Sequence, residues 1–207
     1  MGHIYSWAFA RGPCNGCVHT RTGVRVVPVS RLVGRAQEGD AEAFDDLVRL
    51  LSRRLHGYAY SLLGRQGDAE EAVQEAWVRA WTRLDSLRDR SGFIAWMFRM
   101  VRNLCMDAHR VRGRRSEDSL ETVLDTALPT EARTPEELSV LRSEAEDALD
   151  VLRRLSMGER EAFTLVVLEE LSYEEAAGIA NVSVSTLRGR LARARVKIKN
   201  SATGGQP

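Results

Sequence analysis

The sequence predicts an all-α fold of two small helical domains joined by an acidic, flexible linker. Three observations carry this. Apolar residues recur at three- and four-residue steps through most of the chain after Arg31. No run of consequence alternates at the two-residue period of a strand. Between residues 116 and 134 the period lapses while acidic residues accumulate. The expected organisation is an extension over 1–30, a first domain over 31–115, a linker over 116–134, a second domain over 135–200 and a tail over 201–207. A length of 207 residues suits one or two small domains, and 43% apolar with 29% charged residues is a soluble globular composition. The net charge of +1 does not by itself announce a polyanionic partner. No stretch approaches 18 apolar residues, and no secretory signal pattern opens the chain. Three cysteines, an odd number without framework spacing, fit a reduced cytoplasmic protein.

Residues 1–30 lack helical periodicity and read as a disordered extension. An alternative is that translation starts at a Val codon such as that of Val24, Val26 or Val29. Cys14, Cys17 and His19 have ligand-like spacing, with His3 as a conceivable fourth group. Zinc sites want four such ligands, usually as two pairs, and one pair is present. The expectation is therefore no metal and no cofactor, with Cys14, Cys17 and His19 the candidates if there were a metal.

The clearest helix is Asp68–Leu87. Asp68 and Glu71 have capping-box spacing. Ala69, Ala72, Val73, Ala76, Trp77, Ala80, Trp81 and Leu84 form one apolar stripe, which assigns both tryptophans to the core. Glu71, Gln74, Glu75 and Arg79 lie opposite. The next helix starts near Ser91, with a buried stripe of Phe93, Met97, Met100, Val101, Leu104, Ala108 and Val111. Beside it runs a second stripe of Arg99, Arg102, Asn103, Met106 and Arg110, and from Arg99 to Arg115 there are six Arg and one Asp. Cys105 falls between the stripes as a small packed hydrophobe. After the acidic linker, Thr134-Pro135-Glu136-Glu137 restarts a helix. Four helices are expected, over Pro135–Leu155, Met157–Glu170, Tyr173–Ala180 and Val184–Asn200, with capping boxes at Ser156/Glu159 and Ser172/Glu175 and a frayed tail from Ser201.

Leu171 to Leu191 reads as a helix-turn-helix. Ala176 and Ala177 allow close helix approach, and Ile179, Val182, Val184, Leu187 and Leu191 supply its small core. Asn181 sits where the turn needs a left-handed residue, and Ser183 is placed to cap the second helix. That helix carries Ser185, Thr186, Arg188, Arg190, Arg193, Arg195, Lys197 and Lys199 with no acidic residue among them. Lys appears nowhere else in the chain. This is the profile of a helix lying in a major groove rather than of a solvated bundle helix. Six neutralised phosphates would give a log–log salt slope of roughly −5.

The runs DAEEAVQEAWVRAW (Asp68–Trp81) and FIAWMFRMVRNLCMDAHRVRGRR (Phe93–Arg115), followed by the helix-turn-helix, resemble extracytoplasmic-function sigma factors of the sigma-70 family. The resemblance spans about Arg31 to Lys199. It implies a first domain that binds the RNA polymerase clamp and melts the −10 promoter element. It implies a second that reads the −35 element and binds the polymerase flap. Carried over by residue, core polymerase would be met by Asp68, Glu71, Gln74, Glu75 and Val78. The −10 element would be met by Trp96, Arg99, Arg102, Asn103, Asp107 and Arg110. The −35 element would be met by Ser183, Ser185, Thr186, Arg188, Arg190, Arg193 and Arg195. The implied partners are core RNA polymerase, promoter DNA and an anti-sigma factor, with no membrane insertion. Gly189 inside the recognition helix and Asn181 for the usual turn Gly depart from the family pattern.

Two other classes compete. A stand-alone helix-turn-helix regulator would leave Asp68–Arg115 unexplained. An enzyme would need a nucleophile–base pair or phosphate loop that is not visible; Gly64–Gly67 reads as a helix-to-helix turn.

Overall fold

The structure, a computed structural model, describes residues 28–113, 152 and 154–203. The extension with Cys14, Cys17 and His19, the linker, and most of the expected Pro135–Leu155 helix lie outside the described residues.

Among the described residues seven α-helices follow in order: α1 (Val29–Gln37), α2 (Ala41–Leu63), α3 (Gln66–Arg83), α4 (Phe93–Gly113), α5 (Met157–Phe163), α6 (Tyr173–Ala180) and α7 (Val184–Thr203). No strand occurs among the described residues. Helix α1 begins two residues before the expected Arg31, because Val29, Leu32, Val33 and Ala36 turn one apolar face inward. Asp40 caps α2 by accepting from the Ala43 amide at 3.1 Å. Gly64 ends α2 in the left-handed region at φ 69°, which forms the turn expected there. Leu47, Leu51, Leu55 and Tyr58 on α2 are sealed from solvent and pack with Ala69, Val73, Ala76 and Ala80 of α3 and with Phe93, Met97, Phe98 and Val101 of α4.

Several expectations need correction. Arg65, not Asp68, occupies the N-terminal cap of α3, and Asp68 lies in the first turn. An acidic residue there still faces the positive end of the helix dipole. The helix stops at Arg83, and Leu84–Ser86 forms a single tighter turn. Gln37 holds that turn from α1, donating to the carbonyls of Leu84 and Leu87 at 2.9 Å each. Trp81 is 51% exposed and Val111 51% exposed, so neither belongs to the core. Trp77 is half-buried, donates to Ser52 Oγ at 3.1 Å and meets Phe44 edge-on. Met100, Leu104 and Ala108 are half-buried, whereas Phe98, Ile94 and Cys105 on α4 are buried.

The expected Met157–Glu170 helix is broken. After α5 the backbone widens into one π turn over Thr164–Leu168, where the Glu169 amide donates to the Thr164 carbonyl at 2.9 Å. Helix α7 runs to Thr203, three residues beyond the expected Asn200.

The two helical groups share one core. Ala162, Leu165, Leu171, Ala176, Ala177, Ile179, Ala180, Leu187 and Leu191 join the same buried cluster as α1–α4. Helix α6, with Ala176 and Ala177 nearly sealed and Gly178 beside them, lies against α4. Small side chains permit that close approach.

Candidate nucleic-acid interface

The helix-turn-helix forms as its local chemistry requires. Ser172 Oγ accepts from the Glu175 amide at 3.2 Å, while Glu175 Oε2 accepts from the Ser172 amide at 3.0 Å. Asn181 takes φ 52° and ψ 50°, the left-handed conformation that reverses the chain. Ser183 Oγ accepts from the Thr186 amide at 3.2 Å and so caps α7. Ile179, Leu187, Leu191 and Ala194 are buried, and Val182 and Val184 are half-buried. Those inward positions force Ser183, Ser185, Thr186, Arg188, Arg193, Arg195, Lys197 and Lys199 to the exposed side. Arg188 lies over the Tyr173 ring at 5.0 Å, a cation–π contact that spans α6 and α7.

Two buried carboxylates of α5 answer this basic face. Glu159 accepts from Lys197 Nζ at 2.7 Å, with Arg193 Nε at 3.4 Å. The hydrogen bond from Lys197, then the bond from the Ser156 amide, holds its carboxyl down at about 2. Glu161 is 1% exposed. Its Oε1 accepts from Arg102 Nε at 2.6 Å and from Tyr58 Oη at 3.1 Å, and its Oε2 lies 3.9 Å from Arg190 Nη1. Arg190 is accordingly half-buried rather than fully displayed. Burial, and then the Glu161 charge, pushes the Tyr58 hydroxyl well above its ordinary value. The same two causes push the Cys105 thiol up to about 12, which makes it unreactive. Sequence reasoning used Glu159 as a cap alone and passed over Glu161. Its one signal was a carboxylate one helical turn before the buried Leu165.

On α4, Arg99, Asn103, Asp107 and Arg110 are exposed, and Asp107 pairs with Arg110. Arg99 reaches across to α6, its Nη2 3.8 Å from where a side chain on Gly178 would begin. Arg102 departs from expectation. Its side chain is only 16% exposed and is held by Glu161. Trp96 is half-buried against Phe93, ring centroids 5.8 Å apart.

On α3, Glu71 and Gln74 are exposed, Asp68 is half-buried, and the half-buried Glu75 accepts from Arg79 Nε at 2.7 Å. Val78 is 60% exposed. Trp81 stands beside it with one edge on Phe44 at 4.8 Å. This mixed polar and apolar strip is the kind of surface that protein partners cover, and Trp81 is a member that sequence reasoning missed. No cluster of His, Cys, Asp and Glu suited to a metal occurs among the described residues. None of their helices is long and apolar enough to cross a membrane.

Residues 47–115 match the model of Sigma-70 region 2, and residues 145–198 match that of Sigma-70, region 4. The ECF RNA polymerase sigma-E factor of Haemophilus influenzae is 35% identical over 176 residues, covering 82% of this chain and 92% of the relative. The RNA polymerase sigma-H factor of Pseudomonas aeruginosa is 33% identical over 175 residues, covering 81% and 90%. Among solved structures, CnrH in complex with the cytosolic domain of CnrY matches with TM-score 0.60 and 27% identity, over 86% of this chain and 99% of that one. The sigma factor RpoE of Bartonella quintana, in complex with the anti-sigma factor NepR, matches with TM-score 0.63 and 28% identity, over 79% and 98%. Two region matches in order, on helices α2–α4 and α5–α7, with relatives similar over most of their length, place the chain in the extracytoplasmic-function sigma-70 factors.

Proposed function

We propose that the chain binds core RNA polymerase through the exposed strip of α3 and directs initiation by reading promoter DNA with α4 and α7. The observation that carries this is the capped helix-turn-helix whose second helix displays Ser185, Thr186, Arg188, Arg193 and Arg195 to solvent. A major groove admits such a helix, and guanidinium groups suit guanine edges and phosphates. Ser183, Ser185, Thr186, Arg188, Arg190, Arg193 and Arg195 read the −35 element. Trp96, Arg99, Arg102, Asn103, Asp107 and Arg110 hold the melted −10 strand. Asp68, Glu71, Gln74, Glu75 and Val78 meet the clamp, and Trp81 joins them. Melting needs no nucleotide hydrolysis. Each captured base contributes on the order of 1–3 kcal/mol of stacking, which offsets a few kcal/mol per extruded base.

Of the two solved structures it resembles, the sigma factor RpoE is in complex with the anti-sigma factor NepR, and CnrH is in complex with the cytosolic domain of CnrY. A protein inhibitor that covers the α3 strip is therefore the regulator assigned to this chain, with a cytoplasmic site of action. The test is run-off transcription with core polymerase on a genomic promoter library. Promoter-specific transcripts are expected, and no transcript above core alone would overturn the reading. Tight binding of duplex operators by the free chain, without core, would favour a stand-alone regulator.

A further inference from the structure

Glycine inside a helix weakens it relative to alanine, so a buried helical glycine must accommodate something. Gly34 sits in the middle of α1 and is buried. Its φ is not positive, so the backbone there does not require glycine. A side chain starting at Gly34 would instead meet the Arg90 guanidinium, with Nη1 at 2.7 Å, Cζ at 3.1 Å and Nε at 3.5 Å. One turn along the same face of α1, Gln37 Oε1 accepts from Arg90 Nε at 2.8 Å. Gly34 and Gln37 thus form a seat for Arg90, the first a bare floor and the second a hydrogen-bonding wall. Both precede the stretch 47–115 that matches region 2.

The seat grips the whole connection between α3 and α4. While Gln37 Oε1 holds Arg90, Gln37 Nε2 donates to the carbonyls of Leu84 and Leu87 at 2.9 Å each. One side chain of α1 therefore spans both turns of the connection. Each turn is also closed in itself. The Leu87 amide donates to the Leu84 carbonyl at 3.1 Å. Asp89 Oδ1 accepts from the Ser91 amide at 2.9 Å and from Ser91 Oγ at 2.6 Å. The second turn, Arg90–Gly92, runs without a break into α4 at Phe93. Phe93 is sealed from solvent, and Trp96, one turn on, rests against its ring with centroids 5.8 Å apart. A continuous chain of contacts leads from Gly34 and Gln37, through Arg90, to the end of α4 that carries Trp96 and Arg99.

We propose that Gly34 and Gln37 are positioning residues for the −10 contact: by seating Arg90 they fix the α3–α4 connection, and with it the placement of Trp96 and Arg99 toward the melted strand. This rests on the −10 roles proposed above for Trp96 and Arg99. Holding an unstacked base favours a reader already in place, because ordering a loose one subtracts from binding. Reading of duplex −35 DNA by α7 makes no such demand on α1. The two contacts should therefore respond differently when the seat is damaged.

The test uses holoenzyme reconstituted from the full chain and core polymerase. Two DNA probes are compared, both from a promoter the parent transcribes. One is a fork whose −10 element is single-stranded and which lacks the −35 element; the other is a duplex carrying the −35 element alone. The variants are Gly34→Ala, Gln37→Leu, Arg90→Ala and Gly34→Ala/Arg90→Ala. Gly34→Ala and Gln37→Leu are expected to weaken fork binding about tenfold, the size of one lost stacking contact, and to leave duplex binding unchanged. Gly34→Ala displaces only the far end of a flexible side chain and improves helix propensity. The melting temperature of the free chain should therefore hold or rise, which separates lost fork binding from lost folding. Arg90→Ala should match Gly34→Ala, and the double variant should lose no more than either alone. Fork binding equal to the parent's in both Gly34→Ala and Gln37→Leu, equal losses on fork and duplex, or additive losses in the double variant would overturn the positioning role. A parent holoenzyme that does not favour its own −10 fork over a scrambled one would overturn the −10 reading itself, and the positioning role with it.

Discussion

Tyr173 offers a sharp test of how the recognition helix is aimed. The Arg188 guanidinium lies 5.0 Å from the Tyr173 ring centroid, and Arg188 is exposed. At an exposed site such a contact is worth about 0.5–1 kcal/mol. Tyr173→Ala should therefore weaken holoenzyme binding to promoter duplex about two- to five-fold. Arg188→Ala removes the reading group itself and should cost about 1–3 kcal/mol, with relaxed preference at one base pair. If the ring acts by holding Arg188, the effects are not additive. The double variant Tyr173→Ala/Arg188→Ala should match Arg188→Ala alone, and Tyr173→Phe, which keeps the ring, should match the parent. Competition anisotropy across single-base variants of the −35 element reads both affinity and preference. Additive losses in the double variant, or a loss in Tyr173→Phe equal to that in Tyr173→Ala, would refute the aiming role.

Three further outcomes are expected. Gly189→Ala should raise unfolding stability by about 0.5–1 kcal/mol, since a Cβ there meets nothing nearer than Arg193 Nη1 at 3.6 Å; a lowered melting temperature would contradict this. Asn181→Val should cost at least about 1–2 kcal/mol at φ 52° while Asn181→Gly is tolerated, and chemical denaturation distinguishes them. The Glu159 carboxyl is held at about 2, below its ordinary 4.5, so its contribution is present above about pH 4.5 and is lost as pH falls toward 2. The stability difference between the parent and Glu159→Gln should thus shrink over that window, and a constant difference would show that Lys197 does not hold the charge.

What the sequence made legible was local. The Ser172/Glu175 capping box, the left-handed Asn181 and the Ser183 cap each concern residues within four positions, and all three stand as expected. Trp81 shows where a period fails. It shares a stripe with Trp77, yet a stripe reveals a face and not how far the neighbouring helix extends over it. Phe44 of α2 touches both rings edge-on, but little beyond it covers Trp81, which projects at the end of α3. The π turn at Thr164–Leu168 carries no Gly or Pro and so gave no breaking signal. Glu161 and Glu169 find partners 59 and 115 residues away, a distance that no window of periodicity can span.

The buried acids also change an electrostatic expectation. A slope of roughly −5 assumed six cations equally free to neutralise phosphates. The structure separates them. Arg193 and Lys197 share Glu159, and Arg190 lies near Glu161, so part of the positive field of α7 is already answered within the chain. Phosphate must compete with a carboxylate whose low proton affinity keeps it charged at every working pH. The slope for promoter binding by the holoenzyme should therefore be shallower than −5 for the α7 contribution. Removing the Glu159 charge should return one phosphate-neutralising cation, so Glu159→Gln should steepen the slope by about 0.9. The gain should appear on every duplex tested, because a phosphate contact carries no base preference. A salt titration from 50 to 200 mM, on matched and scrambled −35 duplexes, measures both (about 0.9 being readily resolved over that range). An unchanged slope would mean that Arg193 and Lys197 neutralise no further phosphate once the Glu159 charge is gone. The steering of α7 would then fall to Arg188 and Arg195, which carry no carboxylate partner in the described contacts.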